Sequence, residues 1–246
     1  MKKLFLMLGI TFAALSCFSQ GKWSAGISYQ PGVSDMIHPS SNYFDDTVNI
    51  TTSEKYSYSS GLFIAYKINA KLQVRLGANF TKMGFKWTYD KSYYSNEAWK
   101  ALTDASPNLL NWEKTKLSAN YYFIGVPLDI CYNVYDDKIF EVYLKGGSCI
   151  YFSHDGDWST SAKYTDHTEE QNNNKTPYAN NRDYRFCYQF GFGLSYNPTN
   201  HIKIFLEPTY QQITDKVKNV FPIEGYLYNT GVNIGLQYKF SGYTSN

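Results

Sequence analysis

The chain has 246 residues, of which 43% are hydrophobic, 18% charged and 18% aromatic, with 24 tyrosines and a formal net charge of +2. So small a net charge excludes a nucleic-acid partner recruited by bulk electrostatics, and this length suits one all-β domain or two small ones. Negative mean hydropathy ordinarily points to a soluble protein, yet it excludes nothing for a membrane barrel, whose strands show lipid only alternate side chains.

The N-terminus reads as an export leader. Lys2 and Lys3 form a charged start, Leu4 to Leu15 an apolar stretch, and Cys17-Phe18-Ser19 a small-residue cleavage site, so residues 1–19 are expected to be removed. A membrane anchor is disfavoured because the stretch falls short of the roughly 20 residues that span a bilayer. Ala14-Leu15-Ser16-Cys17 loosely resembles a lipoprotein box, which leaves lipidation of Cys17 as an alternative.

From residue 22 the organising signal is period-two alternation. Trp23, Ala25, Ile27 and Tyr29 open the first run; Leu62, Ile64, Tyr66 and Ile68 mark the second. Leu72, Val74, Leu76, Ala78 and Phe80 mark the third, and a fourth covers 117–132 with Ile124, Val126, Leu128 and Ile130. The fifth, 139–152, sets Val142, Leu144, Ile150 and Phe152 against Glu141, Lys145 and Gly147. In the sixth, 184–196, every even position is aromatic or Leu. The seventh covers 202–210 and the eighth 226–240. Short turns at 69–71, 133–138 and 197–201 alternate with long polar connections at 31–57, 88–116, 153–183 and 211–225. Short turns on one rim and long loops on the other match outer-membrane barrels.

The expected fold is therefore all-β, an eight-stranded antiparallel transmembrane β-barrel spanning 20–240, with both termini periplasmic and a short tail at 241–246. A soluble lipocalin-like barrel also has eight strands, but its apolar side chains point inward. Here the other face is rich in residues such as Gly77, Gly147, Gly191, Gly193 and Asn233, which suit a narrow lumen better than a solvated exterior. Parity places Arg75, Asp129, Glu141, Lys145, Arg185, Lys203 and Glu207 in that lumen, with Lys67 and Lys239 toward its rim. Eight strands leave an interior only wide enough for side chains, so these charges are expected to pair as a plug. Pro127 lacks a ladder donor, and a bulge or kink is expected there.

Tyr122-Phe123-Ile124-Gly125-Val126-Pro127-Leu128 resembles the aromatic, apolar, Glu, Ile, Pro, Leu segment of the PorT-like outer-membrane barrels common in Bacteroidota, and Val142-Tyr143-Leu144-Lys145-Gly146-Gly147 resembles that family's next strand. The resemblance implies a barrel fold and an outer-membrane address. Gly125 stands where the family often has Glu, so no role of that carboxylate carries over. Members differ in role, the named one serving protein secretion, and fold does not transfer function. Asn233-x-Gly235-x-x-Tyr238-x-Phe240 resembles the signal read by barrel-assembly machinery.

Other constellations are weaker. Cys131, Cys149 and Cys187 lie on the lumen face; small buried thiols are the default, and a bond between Cys149 and Cys187 is the alternative. Asp155-Gly156-Asp157-Trp158-Ser159 with Asp166 lacks the sixth-position Gly of a calcium loop, and His154 and His167 fit no zinc spacing. Ser153 and His154 are the residues on which an outer-membrane lipid-modifying hydrolase would rest. No catalytic site, cofactor or metal is expected. The expected contacts are outer-membrane lipid, assembly machinery and an envelope or secretion protein met through 88–116, where Trp99, Leu102, Leu109, Leu110 and Trp112 lie, and 153–183.

Overall fold

The computed structural model describes residues 22–41, 51–90, 112–137, 139–164, 168–174, 184–218 and 223–240. The leader, Trp99, Leu102, Leu109, Leu110, Asp166, His167 and the tail at 241–246 lie outside them. Eight strands close a ring in chain order: β1 (Trp23–Ser41), β3 (Lys55–Lys67), β4 (Leu72–Asp90), β5 (Trp112–Asp136), β6 (Phe140–Tyr164), β8 (Tyr184–Tyr196), β9 (Ile202–Ile213) and β11 (Ile223–Lys239). Each is antiparallel to the next, and β11 closes on β1 with Tyr238 opposite Ala25. Three short strands extend the pairing at one end: β2 (Thr51–Ser53) on β4, β7 (Glu169–Asn174) on β6 and β10 (Val217–Lys218) on β11.

The opposite end carries the tight turns. Asn69 Oδ1 accepts from the amides of Lys71 and Leu72 at 2.9 Å each, and Thr199 Oγ1 accepts from those of His201 and Ile202 at 3.2 and 3.0 Å. Such side chains replace backbone partners where the chain reverses.

Between the ends, alternation sorts the side chains. Leu62 is 65% exposed and Phe190 54%, whereas Glu207 and Gln237 behind the wall are 0 and 1% exposed. A soluble lipocalin-like barrel requires the reverse, so that alternative is overturned. The apolar band ends in a chain of rings at the extended end: Tyr29 to Tyr58 at 6.4 Å, Tyr58 to Phe80 at 6.3 Å and Phe80 to Tyr122 at 6.1 Å. Across the barrel, Tyr188, Tyr210 and Tyr228 continue it.

Beyond this girdle the strands do not stop. Sequence alternation places long loops at 31–57, 88–116, 153–183 and 211–225, but β1 runs on to Ser41, β4 to Asp90, and β5 and β6 reach 25 residues each. Twenty-five residues extend about 80 Å, more than twice what a membrane strand needs. In the extension the faces exchange character: Met83, Phe85, Trp87, Leu117, Tyr121 and Phe123 point inward and are buried, joined by Met36, Tyr151, Ile213 and Leu227. Lys86 and Lys116 point outward and are exposed. The barrel is thus apolar-out and polar-in along its membrane-facing wall, and apolar-in and polar-out above it.

The bulge expected at Pro127 needs correcting. Opposite Pro127 the β4–β5 ladder lapses between Leu76↔Leu128 and Asn79↔Gly125, yet register is kept. No bulge forms there; the nearest register shift lies at Tyr122/Phe123, where β6 contributes His154 as the extra residue between Ser153 and Asp155. Pro208 and Pro31 sit in equivalent gaps, between Gly191↔Thr209 and Leu194↔Leu206, and between Tyr29↔Ile234 and Gly32↔Gly231. A proline removes one ladder donor, and the aligned strands on either side hold the register across it.

Candidate functional site

The lumen at mid-wall is filled by one carboxylate and its partners. Glu207 of β9 is fully buried and ion-paired to Arg75 of β4 and, at 2.9 Å, to Lys145 of β6. Tyr143 of β6 donates its hydroxyl to Glu207 Oε1 and accepts from Arg75 Nη2 at 3.2 Å. Asn233 of β11 donates to Glu207 Oε2 at 2.8 Å. The Arg75 guanidinium also lies 5.3, 5.2 and 5.1 Å from the centres of the Phe63, Tyr143 and Phe205 rings, which favours a cation over their π faces. The rings need room, and glycines supply it: a Cβ on Gly193 would lie 2.2 Å from Tyr143 Cζ, and one on Gly235 2.2 Å from Phe205 Cζ.

A second cluster closes the turn end. Glu141 pairs with Lys203, and with Lys239 at 3.5 Å, and accepts from Asn197 Nδ2 at 3.0 Å. Toward the extended end a relay of neutral groups takes over. Gln189 donates to Asp129 and Gln211 donates to Gln189 at 2.7 Å. Asn229 donates to Gln211 at 3.4 Å, and Ser57 to Asn229 at 2.6 Å. The void beside these groups is about 50 Å³, room for a few waters and far short of a channel.

The structure therefore gathers five of the seven lumen charges into two ion-paired clusters, Arg75, Lys145 and Glu207 in one and Glu141 and Lys203 in the other. Asp129 bonds to a glutamine instead. Arg185 is buried opposite Tyr151, and among the described residues no ion pair joins it to either cluster. Lys67 meets Asp136 at 3.4 Å on the exposed rim. Tyr143 is missed by charge counting, though its odd position on β6 and its pairing with Gly193 carry the signal.

The C-terminal pattern splits between two faces. Asn233 and Gly235 serve the interior, whereas Tyr238 is exposed and packs on Phe240 at 5.6 Å and His201 at 5.9 Å. Cys149 and Cys187 stand opposite each other across β6 and β8, both buried and both free, as is Cys131. We expect a maleimide to leave all three thiols untouched in the folded barrel and to label them after unfolding. Fast labelling of the folded form would show a lumen open to reagent.

The remaining constellations are not brought together as sites. Asp155 to Ser159 lie within extended β6, which cannot wrap a calcium ion as a loop does. Ser153 and His154 are exposed, and no hydrogen bond joins them among the described residues. No metal-holding cluster of His, Cys, Asp and Glu occurs among the described residues.

Three solved outer-membrane proteins are among those to which the chain is similar. Neisserial surface protein A is 13% identical, with 90% of this chain and 98% of that chain covered and a TM-score of 0.40. A major outer membrane protein from Thermus thermophilus is 10% identical, with 88% and 99% covered and a TM-score of 0.40. The outer membrane protease OmpT from Escherichia coli is 12% identical, with 89% and 97% covered and a TM-score of 0.40. No curated protein matches the sequence. The family model described as the outer membrane protein beta-barrel domain matches residues 10–240. With its closed eight-stranded ring, apolar outer band and nearly full-length match, the chain belongs to the outer membrane protein β-barrel family, and its place is the outer membrane.

Proposed function

We propose that the protein is a non-enzymatic barrel with a plugged lumen, working in envelope assembly, secretion or surface binding through the surfaces outside its membrane wall. The observation that carries this is the Glu207 knot, which draws side chains from β4, β6, β9 and β11 across the barrel axis. A solute would have to break several buried, charge-assisted contacts to pass, and above the knot it would meet the buried apolar cluster that includes Phe85, Tyr121 and Phe123. Purified barrel in planar bilayers should give no stable, large conductance. Steady porin-like openings from the monomer would sink the proposal.

The same reading makes residues 1–19 a cleaved leader, 20–240 the mature barrel and 241–246 a tail, in a PorT-like protein of Bacteroidota. Asn233, Gly235, Tyr238 and Phe240 would be read by the assembly machinery before β11 docks on β1. Both termini would be periplasmic, with partners met through 88–116 and 153–183. Single cysteines at Asn69 and Asn172, in a background without native thiols, test the orientation on intact cells. Only Asn172→Cys should label, and the opposite pattern would invert the topology.

A further inference from the structure

Above the aromatic girdle, the outward face of β2, β4, β5, β6 and β7 forms a hollow of about 480 Å³. Two ladder rows line it, Lys86, Ser118 and Ser159 in one and Lys116, Ser161 and Gln171 in the next. Lys82 stands lower on the same face, its ammonium 5.9 Å from the centre of the girdle ring Tyr122. Lys55 crosses from β3 to reach Ser118 Oγ at 2.5 Å. Burial first, and then the charges of Lys82 and Lys86 against the opposing Asp157, push the Lys55 ammonium down to about 8, as expected in a positive local field. Asp157 is already engaged by Asn120 and by Tyr122 Oη at 3.1 Å.

The chemistry of this lining is specific. Two ammonium groups, four serine hydroxyls (Ser53, Ser118, Ser159 and Ser161) and an amide suit a ligand that combines phosphate with sugar hydroxyls. A protein partner would be expected to find exposed aromatic anchors, and Trp87, the aromatic residue bordering the hollow, is itself buried in the inward apolar cluster. Its height narrows the source. Lys86 and Lys116 each lie six residues beyond a girdle ring, Phe80 and Tyr122, which is about 20 Å along the strand and about 15 Å above the apolar band at the usual barrel tilt. A headgroup rooted in the surrounding leaflet stands against the wall at that level.

We propose that this hollow binds the phosphorylated saccharide headgroup of an outer-leaflet glycolipid, with Lys86 and Lys116 holding phosphate and the serines and Gln171 holding sugar hydroxyls. The proposal rests on the outward orientation of the extended end given above. The cysteine-labelling test decides that orientation by itself, whereas binding to purified barrel is independent of it.

The full-length folded protein in detergent is mixed with rough-type lipopolysaccharide, and bound glycolipid is counted by native mass spectrometry. The wild type should retain it; K86Q/K116Q should bind about tenfold or more weakly, and K86R/K116R should bind as wild type does. Phosphatase-treated glycolipid should bind the wild type as weakly as intact glycolipid binds the double glutamine variant. Lys67→Gln at the turn end should change nothing, and heat-modified gel mobility confirms that each variant is folded. Equal binding by the folded double glutamine variant, or equal binding of dephosphorylated glycolipid, overturns the proposal. Binding of inorganic phosphate as tight as that of the glycolipid would overturn it too, because the saccharide would then add nothing and the site would belong to a soluble anion.

Discussion

Replacing Glu207 by Gln should destabilise the folded barrel by at least about 3–5 kcal/mol, the usual loss when one partner of a buried ion pair is removed. The amide keeps the shape but leaves Arg75 and Lys145, both nearly sealed from solvent, without their ion-paired carboxylate, and only Asp129, opposite Arg75 across the ladder and already bonded to Gln189, remains as a nearby acid. The measurement is urea unfolding in lipid vesicles, or the unfolding rate where refolding is incomplete. The triple replacement Arg75→Met, Lys145→Met and Glu207→Leu should recover part of the loss, because it removes the uncompensated cations, while Tyr143 and Asn233 still lose their acceptor. A Glu207→Gln barrel within about 1 kcal/mol of wild type would show that the knot is not the principal tie of the lumen.

Phe85→Ala addresses the other half of the molecule and should cost about 3–5 kcal/mol locally, the range for deleting a buried phenyl group. Phe85 is fully buried and stacks near Tyr121 at 6.2 Å between ring centres, well above the girdle. The consequence should be confined to the extension, since the membrane wall has its own lumen contacts. Protease added to intact cells should trim the extension of the variant faster than that of wild type, while the embedded fragment keeps its heat-modified gel mobility. Loss of that mobility together with the extension would mean that the two halves unfold as one unit.

Much of this architecture is legible in the alternation, because a strand's two faces are fixed by parity and eight runs of suitable length can be counted. Arg75, Glu141, Lys145, Lys203 and Glu207 follow from parity alone. Their division into two clusters does not, because it depends on which strand ends lie at the same height, and that comes from register. The bounds of the long loops are misjudged for a related reason. On β4 the even positions run Leu72 to Phe80 and then become Lys82, Gly84 and Lys86, while the odd ones turn from Arg75 and Thr81 to Met83, Phe85 and Trp87. A single-period test aligned to the membrane wall reads that exchange as the end of the strand. It is the strand leaving lipid for water, where the apolar side must turn inward.

The three proline gaps bear on how the wall carries load. They lie between β11 and β1, between β4 and β5, and between β8 and β9, so they cut the hydrogen-bonded cylinder into three panels: β1-β3-β4, β5-β6-β8 and β9-β11. A tube resists shear through its ladders, and its compliance concentrates where rungs are missing. Under lateral pressure this barrel should ovalise as hinged staves do, without slippage, since register is kept across every seam. Arg75 belongs to the first panel, Tyr143 and Lys145 to the second, and Glu207 and Asn233 to the third. The buried carboxylate thus acts as the hub of a three-spoked brace, placed at the level where the staves are least fastened to one another.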